Sequence, residues 1–170
     1  MSRYLVSIPS TTALNFDGGV TLPNYDKAID CMGMYHGMDL SVVQTGTNRT
    51  DGDCVHGRVV MAHKFDKASP TLRKAAAQRA NLGTVAIHRV TTVTSSSGTA
   101  STASLETITI RDARCVAVVM ETPVRVDGTD VQDEMIEYFA LEYDTEITWD
   151  YRDAANNTSL AARTVALVEE

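Results

Sequence analysis

Apolar residues recur at every second position through most of this 170-residue chain, and one segment breaks that rhythm. Period two is the mark of strands, whose successive side chains point to opposite faces. A short first strand, SRYLVSIP, is stopped by Pro9, which cannot donate to a ladder. In AIDCMGMYHGMDLSVV, residues 28–43, Met32, Met34, His36, Met38, Leu40 and Val42 fall on one face. Cys31, Gly33, Tyr35, Gly37, Asp39 and Ser41 fall on the other. The first set is the more apolar, so it is expected to face the core, with the small and polar set on the open side. VHGRVVMAHKF places Val55, Val59, Met61, His63 and Phe65 together, opposite Arg58 and Lys64. TVAIHRVTTV, LETITIR and ARCVAVVMETPVRV continue the pattern.

The last alternating run, FALEYDTEITWDY, puts Phe139, Leu141, Tyr143, Ile147, Trp149 and Tyr151 on one face of a single expected strand. Glu142, Asp144, Glu146 and Asp150 take the other. Carboxylates two residues apart on a strand are roughly 6.8 Å from one another, and a row of them repels unless cations face it. Arg89, Arg111, Arg114 and Arg125 are the available partners. Such a face is either solvated or a subunit-contact or channel surface.

The exception is KFDKASPTLRKAAAQRANLG, residues 64–83. Ser69 is placed to cap a helix whose first residue is Pro70, where a missing N–H costs nothing. Ala75, Ala76, Ala77 and Ala80 favour helix, and Gly83 stands where a left-handed stop is wanted. The helix is expected over about residues 69–80. QTGTNRTDGD (44–53), TSSSGTASTAS (94–104) and the acidic VDGTDVQDE are polar connections. One helix against many antiparallel strands predicts a mainly β fold, an antiparallel barrel of two packed sheets with one flanking helix. The domain is expected to occupy residues 1–152, with 153–170 a C-terminal tail.

Charge and cysteines narrow the function. Fifteen Lys and Arg against 22 Asp and Glu give −7, which disfavours a nucleic-acid groove binder or an anionic membrane surface. Cys31, Cys54 and Cys115 are odd in number and read as small buried hydrophobes, not a disulfide framework. MSRYLVSIPS lacks the apolar core of a signal peptide, and no apolar run is long enough to span a bilayer.

Catalytic and metal motifs are sparse. Cys54 and His56 share a face beside Asp53, but two ligands and a loop carboxylate are too few for a metal site. No Gly-rich phosphate cradle follows a strand, and H-E-x-x-H and G-x-S-x-G are absent from the sequence. No catalytic, cofactor-binding or metal residue is therefore nominated. A small-ligand barrel would need an apolar cavity, whereas these strands look filled with Met, Val and Phe.

The order of strand, F-D-K-x-S-P-x-L, Ala-rich helix, Gly and strand resembles the haemolysin-coregulated protein (Hcp) family, the inner-tube proteins of bacterial type VI secretion systems. The residues that carry it are Phe65, Asp66, Lys67, Ser69, Pro70 and Leu72. Upstream, I-D-C-M-G-M-Y-H-G-M resembles the family's second long strand, and E-I-T-W-D-Y resembles its last. The likeness runs from Tyr4 to Tyr151. Tail-tube proteins of contractile phages and extracellular injection particles share this fold and form the alternative.

The resemblance implies a six-membered ring of identical subunits, stacked into a hollow tube inside a contractile sheath. Implied partners are further copies of the chain, sheath, spike and baseplate proteins, and small effectors in the lumen, with no nucleic acid, membrane insertion or cofactor. It also implies a cytoplasmic protein expelled without a signal peptide. Cys31, Gly33, Tyr35 and Gly37 would line the lumen, unless Tyr35 packs against an adjacent subunit. The 44–53 loop, with Thr47, Asn48, Arg49 and Asp51, would reach the next ring, unless it is a disordered surface excursion.

Overall fold

The computed structural model describes residues 3–45, 48–94, 100–121, 135–153 and 158–166. Ten strands and one helix follow in the order β1 (Arg3–Ser7), β2 (Ile29–Tyr35), β3 (Met38–Thr45), β4 (Asn48–His56), β5 (Val59–Lys64), α1 (Ser69–Gln78), β6 (Asn81–Thr94), β7 (Ala100–Glu121), β8 (Ile136–Tyr143), β9 (Glu146–Asp153) and β10 (Thr158–Ala166). Neighbouring strands run β7-β6-β1-β2-β5-β8, and β8 returns to β7, closing a six-stranded barrel. Closure removes the free edges that an open sheet of this hydrophobicity would expose.

Strand β7, 22 residues long, makes closure possible by pairing with different neighbours along its length. Its first half lies between β6 and β9, and its second half pairs with β8. The exchange occurs at Asp112, which takes a left-handed conformation at φ 53°. Asp tolerates that region because its short carboxylate can satisfy nearby donors. Here Thr145 and Asn81 donate to it, and those bonds hold its carboxyl below the usual range.

The core fills the barrel. Val6, Ile29, Val59, Met61, Val85, Ile87, Ile110, Phe139, Leu141 and Ile147 form one buried cluster, joined by Leu72 and Ala75 of α1. Complete burial of such side chains contributes about 1.5–3 kcal/mol each, which fixes the strands' inward phase.

Several expectations need correction. The 28–43 run is two strands, broken at His36 and Gly37, where the Gly57 N–H donates to the Gly37 carbonyl at 2.8 Å. A Cβ on Gly57 would sit 2.7 Å from that oxygen, so alternation alone could not reveal the break. A bulge between Cys31 and Gly33 also changes the facing of β2. Cys31 is fully buried and Met32 is 51% exposed, the reverse of the expected faces. Beyond the bulge the expectation holds: Met34 packs on the core and Tyr35 points out, 70% exposed.

The 44–53 segment is no loose excursion. Thr45 pairs with Asn48, Gln44 with Arg49, Val43 with Thr50 and Val42 with Asp51, so β3 and β4 form a separate two-stranded arm. Likewise, the 94–104 connection is mostly the paired ends of β6 and β7, with Thr94 opposite Ala100 and Val90 opposite Ser104. The 139–151 run is two strands, β8 and β9, parted at Asp144 and Thr145, which pair with successive stretches of β7 rather than with each other. Within the supposed tail, 158–166 is the edge strand β10, paired with β9. Residues 95–99, Arg125 and the VDGTDVQDE loop lie outside the described residues.

The helix stands, with different ends. Ser69 is its first residue, not its cap. The residue before it, Ala68, makes no side-chain cap, and Pro70 follows at the second position. The Ser69 hydroxyl instead accepts from the Asp66 N–H at 3.1 Å, and the Asp66 carboxylate accepts from the Ala68 N–H at 2.8 Å. At the far end Arg79, φ 49°, supplies the left-handed stop, and its N–H and that of Ala80 close on Ala76 and Ala75. Gly83 does have positive φ, 69°, but it serves an irregularity at the start of β6.

Candidate functional site

Strands β2, β5, β8 and β7 turn two uncharged rows outward, bounded on the same face by Lys64, Ile136 and Glu121 on one side and by Glu142 and Arg114 on the other. Register places Gly33, Ala62, Tyr138 and Val119 in one row across them. Tyr35, Val60, Ala140 and Ala117 form the next row. Residues opposite one another in antiparallel strands share a face, so these eight make a continuous wall. Tyr35 and Val119, 58% exposed, are its most open members, and a shallow groove of about 220 Å³ lies among Gly33, Met34, Tyr35, Val60, Ala62 and Tyr138. Such a wall can present aromatic and aliphatic surface to something passing or docking, and it carries no acid–base pair.

Of the four residues expected on this face, Gly33 and Tyr35 are in the wall. Gly37 lies beyond the strand end, 3.3 Å from the Tyr35 hydroxyl measured from a Cβ built on it. Cys31 does not belong: it sits in the core, and burial pushes its thiol well above the ordinary range. Burial likewise pushes the Cys115 thiol up to about 11. Neither thiol suits nucleophilic chemistry.

The second feature is the arm. Asn48, Arg49 and Asp51 lie on β4, near the arm's tip, and Thr47 lies outside the described residues. Where the arm meets the barrel, His36 Nε2 is 3.1 Å from the Tyr143 hydroxyl, and its ring is 6.1 Å from that of Trp149. His56, at the end of β4, packs edge-on to Tyr143 at 6.2 Å.

The carboxylates of the final run prove to be divided among β8, the turn after it and β9, each with an arginine. Arg58 meets Glu142 at 2.6 Å, Arg114 meets Asp144 at 3.0 Å, Arg111 meets Glu146 at 2.8 Å and Arg152 meets Asp150 at 2.8 Å. Half-exposed pairs like these add about 0–1 kcal/mol each. They fit a solvated face.

Sequence reasoning missed a buried charged chain. His63 Nε2 lies 3.2 Å from Glu137 Oε1, and Arg73 holds Glu137 Oε2 through two nitrogens at 2.9 and 2.7 Å. His63 Nδ1 faces Asp66 Oδ2 at 3.5 Å, without hydrogen-bond geometry. Arg73 also stacks over Phe65, 5.3 Å from the ring centre. His63 and Glu137 are fully buried, and the chain ties α1 to the barrel. Among the described residues no helix is long and apolar enough to cross a membrane, and no three metal-ligating side chains gather.

The family whose sequence model matches is described as the type VI secretion system effector, Hcp, over residues 8–151. Solved structures share the fold. An Hcp protein covers 100% of both chains at 19% identity and a TM-score of 0.76. The secreted protein Hcp3 of Pseudomonas aeruginosa covers 99% of this chain and 100% of its own at 21% identity, TM-score 0.62. A type VI secretion system effector from Yersinia pestis covers 96% and 99% at 16% identity, TM-score 0.62. No curated protein is matched by sequence.

Proposed function

The chain belongs to the Hcp family of type VI secretion, and from that premise we propose that it is the structural subunit of a six-membered ring that stacks into an inner tube. The observation that carries this reading is the family match together with two uncharged outward strand rows and a separate two-stranded arm. Gly33 and Tyr35 line the lumen with Ala62, Tyr138 and Val119, where two uncharged rows between charged margins give cargo a surface to slide along. The arm, with Asn48, Arg49 and Asp51 on β4 toward its tip, reaches the adjoining ring. Heterologous contacts of this kind close a cycle when the rotation fits.

On this reading the protein works by assembly and catalyses no reaction. Sheath, spike and baseplate proteins surround or cap the tube, and small effectors travel inside it. The tube is expelled from the cytoplasm by sheath contraction.

Native mass spectrometry and negative-stain imaging of the purified chain test it. Hexamers and stacked rings are expected. Removing residues 42–51, the distal pairs of the arm, should leave rings and abolish long tubes. A chain that stays monomeric at every concentration, or trimmed protein that still grows long tubes, overturns the corresponding part.

A further inference from the structure

His36 and His56 stand where the two strands of the arm leave the barrel, one just before β3 and the other closing β4. Both rings turn to Tyr143. His36 Nε2 meets the Tyr143 hydroxyl at 3.1 Å, and His56 lies against the ring at 6.2 Å. Trp149 of β9 flanks His36 at 6.1 Å, tilted by 40°. His56 Nδ1 is buried with no hydrogen-bond partner. Beside them, Gly37 and Gly57 are in backbone contact at 2.8 Å, so the arm joins the barrel through a glycine pair and this cluster.

The charged groups around the cluster are already committed. Glu142 and Asp144, the chain neighbours of Tyr143, are held by Arg58 and Arg114. Asp150, next to Trp149, is held by Arg152. On β3, Met38 lies opposite His56, while the exposed Asp39 lies opposite Val55 and so on the other face of the arm. Burial, and then His56, lower the His36 imidazole from its ordinary value of 6.5.

We propose that the His36–His56–Tyr143–Trp149 cluster is an acid-sensitive latch, in which a proton taken up at His36 frees the β3–β4 arm from the barrel. Neutral His36 fits: one nitrogen meets the phenol, and the ring sits tilted between Tyr143 and Trp149. A proton brings charge into a half-buried site beside a second imidazole. The tilted Trp149 face, at the outer limit of cation–π range, offsets little of that. The consequence for tube growth rests on the stacking role proposed above, whereas the latch itself does not.

Trp149 is the chain's single tryptophan, so its emission reports the cluster directly. The test follows Trp149 fluorescence and amide exchange of residues 38–56, corrected for intrinsic rate, from pH 8 to 5 in the full chain. Emission should change with a midpoint below 6.5. Arm protection should fall about tenfold over the same range, the effect of one pH unit on a single linked proton. His36→Gln should flatten both responses, and His56→Gln, by removing the like charge, should move the midpoint upward. Unchanged emission, an emission change with full arm protection, or a response that survives His36→Gln overturns the latch. Sedimentation read in parallel separates the two proposals: absence of tubes at every pH sinks the stacking role, and loss of tubes in the same window joins the two.

Discussion

His63 Nε2 lies 3.2 Å from Glu137 Oε1 at a depth where neither side chain is exposed. Arg73 completes the chain from the helix side. Removing one member leaves a charge or donor buried without its partner, which costs about 3–5 kcal/mol. Glu137→Ala should therefore lower stability by about that much in urea unfolding. The triple change His63→Phe, Glu137→Leu, Arg73→Met should recover most of the loss, because apolar replacement of a whole buried network is often neutral. A loss under about 1 kcal/mol for Glu137→Ala would mean the pair is no better than an exposed one.

That network also shows how far the sequence could be read. In IEYFALEY the phase set by Phe139, Leu141 and Tyr143 runs back to Glu137, so a carboxylate at an inward position was visible. Its partner was not, because His63 lies 74 residues away on β5. The barrel, the helix and the Tyr35 face followed from period and propensity, which are local. Bulges and strand breaks did not. The bulge that turns Cys31 inward is set by its register with His63 on β5, and the break at Gly37 by its contact with Gly57.

The helix entrance supplies a second prediction. Ser69 is fully buried and its hydroxyl serves the Asp66 N–H rather than a first-turn amide. Ser69→Ala should cost about 1 kcal/mol, by orphaning that donor. Ala76→Pro, inside the helix, should cost about 3 kcal/mol or more. Equal and negligible losses in denaturant unfolding would contradict this entrance geometry.

Two glycines should respond unequally to alanine. On Gly57 a Cβ would press to 2.7 Å from the Gly37 carbonyl, a backbone atom that cannot swing aside. Gly57→Ala should therefore displace the arm's root at a cost of about 1–3 kcal/mol. On Gly33 the nearest atom is the Ala62 methyl at 3.9 Å, an ordinary contact. Gly33→Ala should change stability by less than about 0.5 kcal/mol. Thermal unfolding of both variants decides it, and similar melting temperatures would count against the junction.

Stability should also depend on pH through His36. Its folded value is lowered from 6.5, chiefly by burial, so just below 6.5 the unfolded chain binds the proton that the folded chain refuses. The contribution is complete above 6.5 and is lost as pH falls toward the lowered value. Urea midpoints should drop across that window in the native chain and less so in His36→Gln. Parallel curves for the two proteins would remove His36 from the account.

Tyr35 decides whether the outward wall lines a channel. Its ring is the most exposed aromatic described, standing beside the Ala62 and Gly33 row with its hydroxyl toward Gly37. An aromatic so placed suits a water boundary, having an apolar body and a polar tip, but aromatics are also enriched at subunit contacts. Thiol labelling separates the two. Cys31 and Cys115 are buried with raised thiol values and should stay silent, so Tyr35→Cys needs only Cys54→Ser as background. In assembled rings a small reagent should reach Cys at this position, and one too wide for the bore should not. Protection from both reagents, lifted when rings dissociate, would place Tyr35 between subunits and remove this face from the lumen. Reaction with both in intact, stacked rings would put it on the tube's outer surface, with the same result.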